Sequence, residues 1–553
     1  MRIKRWLFLT HRWLGVLLCA FFALWFVSGV VMMYVGYPKL TQAERLQHLP
    51  PLGDGTGLLG PRQALDAAQV DGPLRELRLA AGRAGQPVYV VQAEPPTASA
   101  ASAASAGAAG AAASAGADAA GAAGTPKPAR RATPGSGTVL IDARSGQRLQ
   151  GVDAALALSS ATAYARGLPQ QTAPRHLDTV QEDAFTHSRA LDAHRPLHRV
   201  QLTDESHTLL YASSLTGEVV RDATRTERVW NYAGAWLHWL YMFRGNAFNA
   251  YWSDIVNGLS IAGIVVTVVG TVVGVMRWRF KRPYRSGART PYPGRMMRWH
   301  HILGLLFALI TFTWILSGLA SMNPWRVFDV GAAPLRSAAL QGAPLNPGPN
   351  DATPQALLAA AGPNTRELRW VPVLGTLSVQ AQGPVGRPQL LASSNAQAMK
   401  LDEAALQQAA RGLLDAPVAR IERLAAHDFH YYDRAPHTMM GGTERPLPAL
   451  RVVFDDPQAS WVHVDPHTGT VLGRSDQGRR ASRVLFALLH SWDWLPLLNL
   501  RPLWDVLLIV LSLGGTLLSV TGVVIGWRRL GLKLRPRRSA AALKRAESPP
   551  GAA

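Results

Sequence analysis

Four histidines recur in this chain at matched positions. His11 opens "HRWLG", with Ser28-Gly29 further on, and His300 opens "HHILG", with Ser317-Gly318 further on; the two stretches match without gaps at an offset of 289. A second match joins "VQLTDESHTLLYASSLTGEVV" from Val200 to "VVFDDPQASWVHVDPHTGTVL" from Val452 at an offset of 252, and its ungapped extension brings His238 onto His490. Tandem copies in one orientation imply a pseudo-two-fold axis, across which equivalent residues can face each other. His11 then pairs with His300, and His238 with His490. Haem iron has two axial positions, and neutral imidazole is a common ligand for iron. Two histidines from opposing helices can clamp one haem while apolar helix faces bury its ring. Iron held this way has no open position for oxygen and favours electron transfer. The expected cofactor is haem b, two per chain, with His11, His300, His238 and His490 as axial ligands. His301 adjoins His300 and is the alternative at the first pair. Arg12, Arg5 and Arg298 flank that pair and can meet the anionic propionates. A lone histidine at a helix end is usually an interfacial polar residue, so the recurrence of both histidines carries the reading.

Other constellations say less. "HDFHYYDRAPH" sets His427, His430 and His437 near Asp428 and Asp433. Such a group can bind a metal or touch a ferric ligand, although histidine-rich loops are often only solvated. "GTGLLG", from Gly55 to Gly60, has the form G-x-G-x-x-G but follows "PPLGD" rather than a strand, so it is not read as a dinucleotide site. No P-loop, H-E-x-x-H or paired-cysteine motif occurs, and no residue stands out as catalytic. Trp230, Trp236, Trp239, Trp492, Trp494 and Trp504 gather near the expected ends of apolar stretches and read as an aromatic belt.

The elements that must position these histidines follow from charge and apolar runs. The 553 residues carry a formal net charge of +21. Segments 1–12, 277–298 and 528–545 hold 4, 8 and 8 Lys/Arg and no acid, so nearly all of the excess lies beside long apolar stretches. That is the positive-inside pattern of a membrane protein rather than a groove for nucleic acid. Four stretches, 13–34, 255–276, 302–322 and 504–526, have the roughly 20 residues that a span requires. With the basic ends inside, both termini and the 277–298 loop are cytoplasmic, and the two long loops lie outside. The first span reads as an uncleaved anchor, since its apolar core is too long for a signal peptide. The only cysteine, Cys19, lies within it, so no disulfides are expected outside.

The expected fold class is an α-helical integral membrane protein: a four-helix transmembrane bundle built from two tandem span–outer domain–span repeats, with small α+β outer domains. Its parts are a tail and first span (1–37), a first outer domain (38–228), and an interfacial helix with the second span (229–280). A basic loop (281–298), the third span (299–324) and a second outer domain (325–482) follow. The last parts are an interfacial helix with the fourth span (483–530) and a basic tail (531–553). The two offsets differ by 37, so the first copy must contain an insertion of about that length. Residues 97–134, almost all Ala, Ser, Gly and Pro, supply it and have too little apolar bulk to order themselves. In the outer domains, "ALRVVFDD" and "SWVHVDPHTGTVLG" alternate with period two and read as strands, and "DEAALQQAARGLL" reads as a helix.

With these residues in view, the chain resembles the PepSY-associated transmembrane (PepSY_TM) family of bacterial inner-membrane proteins. The resemblance lies in H-R-W-L-G at the first span, H-x-x-x-G at the third, and the S-G near each far end. It also lies in R-P-L…V-x-F-D-D…D-P-x-T-G-x-V between Arg445 and Val471, which is similar to the PepSY module. Apart from 97–134 and the C-terminal tail it covers nearly the whole chain. The third span departs from the pattern by reading H-H-I-L-G. The family includes iron-regulated proteins and haem-containing ferrisiderophore reductases. The resemblance therefore implies an oxidoreductase of the inner membrane that moves electrons outward through haem and reduces ferric siderophores, Fe(III) to Fe(II), in the periplasm. Its partners would be the ferric siderophore, the lipid bilayer and an electron donor, either quinol or a cytosolic reductase, with no nucleic acid. The alternative is a non-redox, membrane-anchored PepSY protein that binds a periplasmic protein or peptide.

Overall fold

The computed structural model describes residues 2–93, 137–168, 173–435 and 437–534. The expected disordered insertion, 97–134, lies outside the described residues, as does most of the basic tail. The chain divides into a helical unit (Met1–Val30, Asp254–Leu319 and Leu500–Ala553) and a sheet-bearing unit (Val31–Ser253 and Ala320–Asn499).

In the helical unit, three continuous helices are long and apolar enough to cross a membrane, with candidate spans Ile3–Tyr34, Asn249–Arg277 and Leu503–Gly531. Leu17, Val27, Val268 and Leu513 stand exposed on them, as suits helices whose surroundings are lipid. The expected bundle of four spanning helices is corrected here. The third stretch is two helices, Arg295–Leu306 and Ala308–Ser321, bent by 65°. Phe307 leaves helical geometry at the junction, with φ −103° and ψ 9°. Its ring fills the notch left by Gly514 in the last helix, where a Cβ would overlap it. A side chain docked in this way is a recognised kind of cause for a sharp kink. Hydropathy does not register it, because residues 302–322 read as one uninterrupted apolar run. Leu18, Phe22, Phe26, Val266 and Ile315 form the core of this unit.

The fold class is corrected on a second point: naming it a helical bundle understates the strands, which the sequence placed in small outer domains and which form three antiparallel sheets, so the protein is not a purely helical bundle. The first intervening segment supplies β1 (Leu74–Arg83), β2 (Gln86–Ala93), β3 (Thr138–Asp142) and β4 (Arg148–Leu149). It continues with β5 (Arg175–Val180), β6 (Leu197–Gln201), β7 (Leu209–Ser213) and β8 (Val219–Ala223). The second supplies β9 (Glu367–Val373), β10 (Thr376–Gln382) and β11 (Gln389–Ala392), followed by β12 (Val418–Leu424), β13 (Ala449–Phe454), β14 (Trp461–Val464) and β15 (Val471–Ser475). Strands β5–β8 and β12–β15 make two four-stranded sheets of the same order. The remaining strands form one seven-stranded sheet, β11-β10-β9-β1-β2-β3-β4. Its centre is the β1–β9 pair, where Leu79 lies opposite Leu368, so the two segments share a sheet. Hairpins β1–β2 and β9–β10 both turn through two left-handed residues, Ala84-Gly85 and Leu374-Gly375, the geometry that suits the twist of paired strands. Tyr89, Trp370, Leu77 and Leu357 pack in the core beneath this sheet.

Candidate functional site: two histidine pairs

His11 lies in the first helix (Arg2–Tyr34), and His300 in the short helix Arg295–Leu306. Their ring centres are 6.2 Å apart, tilted by 37°. The hydrogen bonds around them define which nitrogen carries the proton. Nδ1 of His11 lies 3.3 Å from the carbonyl oxygen of Val266, which only accepts, so Nδ1–H is the donor. Nδ1 of His300 lies 3.0 Å from Oγ1 of Thr521, whose hydroxyl donates to the carbonyl of Leu518 at 2.7 Å. That hydroxyl accepts from His300, and Nδ1 again bears the proton. Both neutral imidazoles therefore keep their lone pair on Nε2, and neither Nε2 has a hydrogen-bond partner among the described residues. An acceptor that holds the N–H of one ring nitrogen is what orients a metal-binding histidine.

His301, left open as the alternative, is committed elsewhere. Its Nε2 donates to the carbonyl of Gly274 at 2.8 Å, and its Nδ1 accepts from Thr290 at 2.8 Å. It is buried with both nitrogens engaged, so the structure opposes His300, not His301, to His11.

Both free nitrogens belong to rings lining a cavity of about 370 Å³ in the helical unit. Its walls repeat in pairs: Gly15 with Gly304 at the 289 offset, and Gly270 with Gly522, Gly274 with Gly526 and Arg277 with Arg529 at the 252 offset. Gly15 and Gly304 each lie four residues after a histidine, hence one turn along the same helix face. At Gly270 an added Cβ would come within 2.5 Å of the His11 ring. Glycine inside a helix costs about 0.5–1 kcal/mol relative to alanine, so this concentration calls for a reason in packing. Arg12 lines the cavity as expected, while Arg5 and Arg298 are exposed and do not. Arg277, Arg529, Thr521 and the glycine pairs Gly270–Gly522 and Gly274–Gly526 were missed from sequence. Carrying the 252 offset beyond His238 and His490 would have found all of these except Thr521.

The second pair lies in the sheet-bearing unit, with ring centres 6.0 Å apart and planes at 78°. Each histidine follows the same local distortion. Helix Arg225–Asn231 runs into a π-helical turn, Tyr232–Trp236, before His238. Helix Gln477–Arg483 runs into another, Val484–Leu488, before His490. Two residues beyond each histidine the backbone turns left-handed, at Leu240 (φ 54°) and Trp492 (φ 52°). π-turns and left-handed non-glycine residues both concentrate at functional sites, and here both recur at the 252 offset. His490 stacks on Phe486, with centroids 5.0 Å apart. Three residues further on, buried Asp493 accepts from Tyr432 at 2.8 Å and pairs with Arg434. Through these contacts "HYYDR" anchors the turn after His490.

His427, His430 and His437 are not brought together. Nε2 of His427 lies 2.9 Å from the carbonyl of Arg445. His430 packs edge-on against Phe429 and Trp461, and burial with the nearby Arg483 lowers its pKa to about 4. His437 bridges Glu44 and Glu227. Among the described residues no group of three or more His, Cys, Asp or Glu side chains is arranged to hold a metal ion; a group clamped between two histidines requires none. Comparison with models of known families finds no match to this chain, and comparison with curated proteins finds none either.

Proposed function

We propose that this chain is a haem-carrying membrane protein of the PepSY-associated type, which passes electrons across a bacterial inner membrane and reduces ferric siderophores on its outer side. The observation carrying this reading is the first pair: two imidazoles lining one cavity, each with Nδ1–H held and Nε2 free, with ring centres 6.2 Å apart. The fit can be tested by arithmetic. Two imidazoles that shared one metal ion through their Nε2 atoms would stand with ring centres roughly 6 Å apart. The second pair, at 6.0 Å, has the same spacing.

His11 and His300 would hold the first haem, and His238 and His490 the second. When bound, such a group supplies a one-electron carrier. The carbonyl of Val266 and the hydroxyl of Thr521 keep Nδ1 protonated, so that Nε2 remains the ligating atom. The paired glycines leave flat walls where a ring can approach the helix backbone. Arg12, Arg277 and Arg529 bring positive charge to the cavity and suit carboxylates such as propionates. The basic ends favour cytoplasmic termini, which puts the first pair on the inner side and the second on the outer. Siderophore oxygens are hard donors that prefer Fe(III), so adding one electron weakens the complex and frees iron. The electron comes from quinol or a separate cytosolic reductase.

Protein purified from haem-replete cells should show a Soret band, a reduced-minus-oxidised difference spectrum and two haems per chain. His300→Ala should lose about half of that haem, and the reduced protein should convert a ferric siderophore to Fe(II) under anaerobic conditions. A folded but colourless preparation overturns the reading.

A further inference from the structure

We propose that Phe22 and Thr311 are positioning residues for the first haem and decide which way round it sits between His11 and His300. The inference rests on the haem reading of that pair. Of the 28 residues that line the cavity, 26 fall into pairs at the 289 or 252 offset, all but Thr271 and Tyr292. The two copies therefore offer nearly the same wall to each side of a group held between them. Haem b lacks the matching symmetry. Half a revolution about the line that passes between its propionates leaves the propionates in place and exchanges a vinyl for a methyl at the opposite edge. A paired wall by itself accepts both orientations.

The charged end of the cavity does not choose between them. Arg12 and its repeat mate His301 differ, but the two propionates are alike. Ten residues further along the first helix, about 15 Å from Arg12, the mates are Phe22 and Thr311. Phe22 is fixed: its ring stacks on Trp25 with centroids 6.1 Å apart, and a Cβ at Gly263 would come within 3.1 Å of it. Thr311 is smaller, 3% exposed, and its hydroxyl has no hydrogen-bond partner among the described residues. The other serine and threonine hydroxyls of the lining donate to the carbonyl four residues back: Thr267 to Gly263, Thr271 to Thr267 and Ser519 to Gly515, each at 2.8 Å. For Thr311 that carbonyl belongs to Phe307, at the break between helices. A buried hydroxyl left unpaired is costly. Thr311 thus offers both room and an unused proton, and the vinyl, larger than a methyl and able to accept through its π electrons, fits on its side. The methyl falls to Phe22.

The test is proton NMR of the oxidised full-length protein in detergent, where the ring methyls of low-spin ferric haem resolve the two orientations. Signals of the first haem are those missing from His300→Ala. One extra carbon placed well is worth about fourfold in population, so the parent should settle at about 4:1 or more. Phe22→Thr makes the mates identical and should bring the ratio towards 1:1. The exchange of Phe22→Thr together with Thr311→Phe should reverse it, and the single variant keeps the proposal testable if the exchanged chain holds no haem. Haem with both vinyls replaced by methyls is symmetric about the same line and should give one set of signals in every chain. A parent near 1:1, a ratio that neither variant moves, or several sets from the symmetric haem overturns the proposal. A colourless protein sinks the haem reading and this inference with it; equal orientations in a coloured protein sink this inference alone.

Discussion

The proton on Nδ1 decides what His11 and His300 can do, and it is set by atoms outside either ring. Thr521→Val removes the acceptor of His300 and leaves a buried N–H unpaired, at a cost of about 1–3 kcal/mol. Loss of an outer-shell partner typically weakens a metal site by about 10–100-fold. On the proposed haem reading, transfer of the haem to a scavenger protein should quicken by about tenfold or more, with a shifted Soret band, and Thr521→Ser should restore both. Unchanged retention and spectrum in the valine variant would remove Thr521 from the site. Gly270→Ala places a methyl group within 2.5 Å of the His11 ring. Overpacking of this kind costs about 1–3 kcal/mol, so a lowered melting temperature and a weakened Soret band are expected together.

At the scale of elements, single side chains join segments that are distant in sequence. His437, from the second intervening segment, bridges Glu44 and Glu227 of the first. Each acid also closes the capping box at the start of a helix, Gln42–His48 or Arg225–Asn231. Hydrogen bonds to Glu227 and Glu44 raise the pKa of His437 from 6.5 to about 10, against the effect of burial. Burial alone would raise Glu44, but bonds from His437 and Thr41 hold it down at about 2, from 4.5. The histidine's contribution is complete below pH 6.5 and is lost as pH rises towards 10. The contribution of Glu44 is complete above pH 4.5 and is lost as pH falls towards 2. The clamp is strongest between these limits. His437→Gln should lower the melting temperature at pH 6 and flatten its decline between pH 6.5 and 10. Parallel curves for parent and variant would rule the clamp out.

Across the whole molecule, the β1–β9 pair joins the two long segments in one sheet. Leu79, fully buried at that seam, is the place to test it. Leu79→Ala should cost about 2–5 kcal/mol. Hydrogen exchange should then quicken in β9–β10 as well as in β1–β2, because a shared sheet opens as a unit. Protection lost only in β1–β2 would mean that the segments fold separately.

What the sequence determined by itself was everything carried by local pattern or by self-comparison. Three of the four long apolar runs form helices long and apolar enough to cross a membrane, and the run of copied positions named both histidine pairs and, carried further, would have named the glycines and arginines that extend it. The strands β13 and β14 were legible because alternation is a local property. Tertiary structure decided what depends on partners far along the chain. Phe307 breaks its helix because Gly514 offers its ring a notch, and composition is blind to a notch. The seam of β1 with β9 joins residues almost 300 positions apart, with no local signature at either end. His300 rather than His301 faces His11 because Thr290 and the carbonyl of Gly274 occupy the neighbour's two nitrogens. Two adjacent, identical residues differ only in what surrounds them, and only the folded chain supplies surroundings.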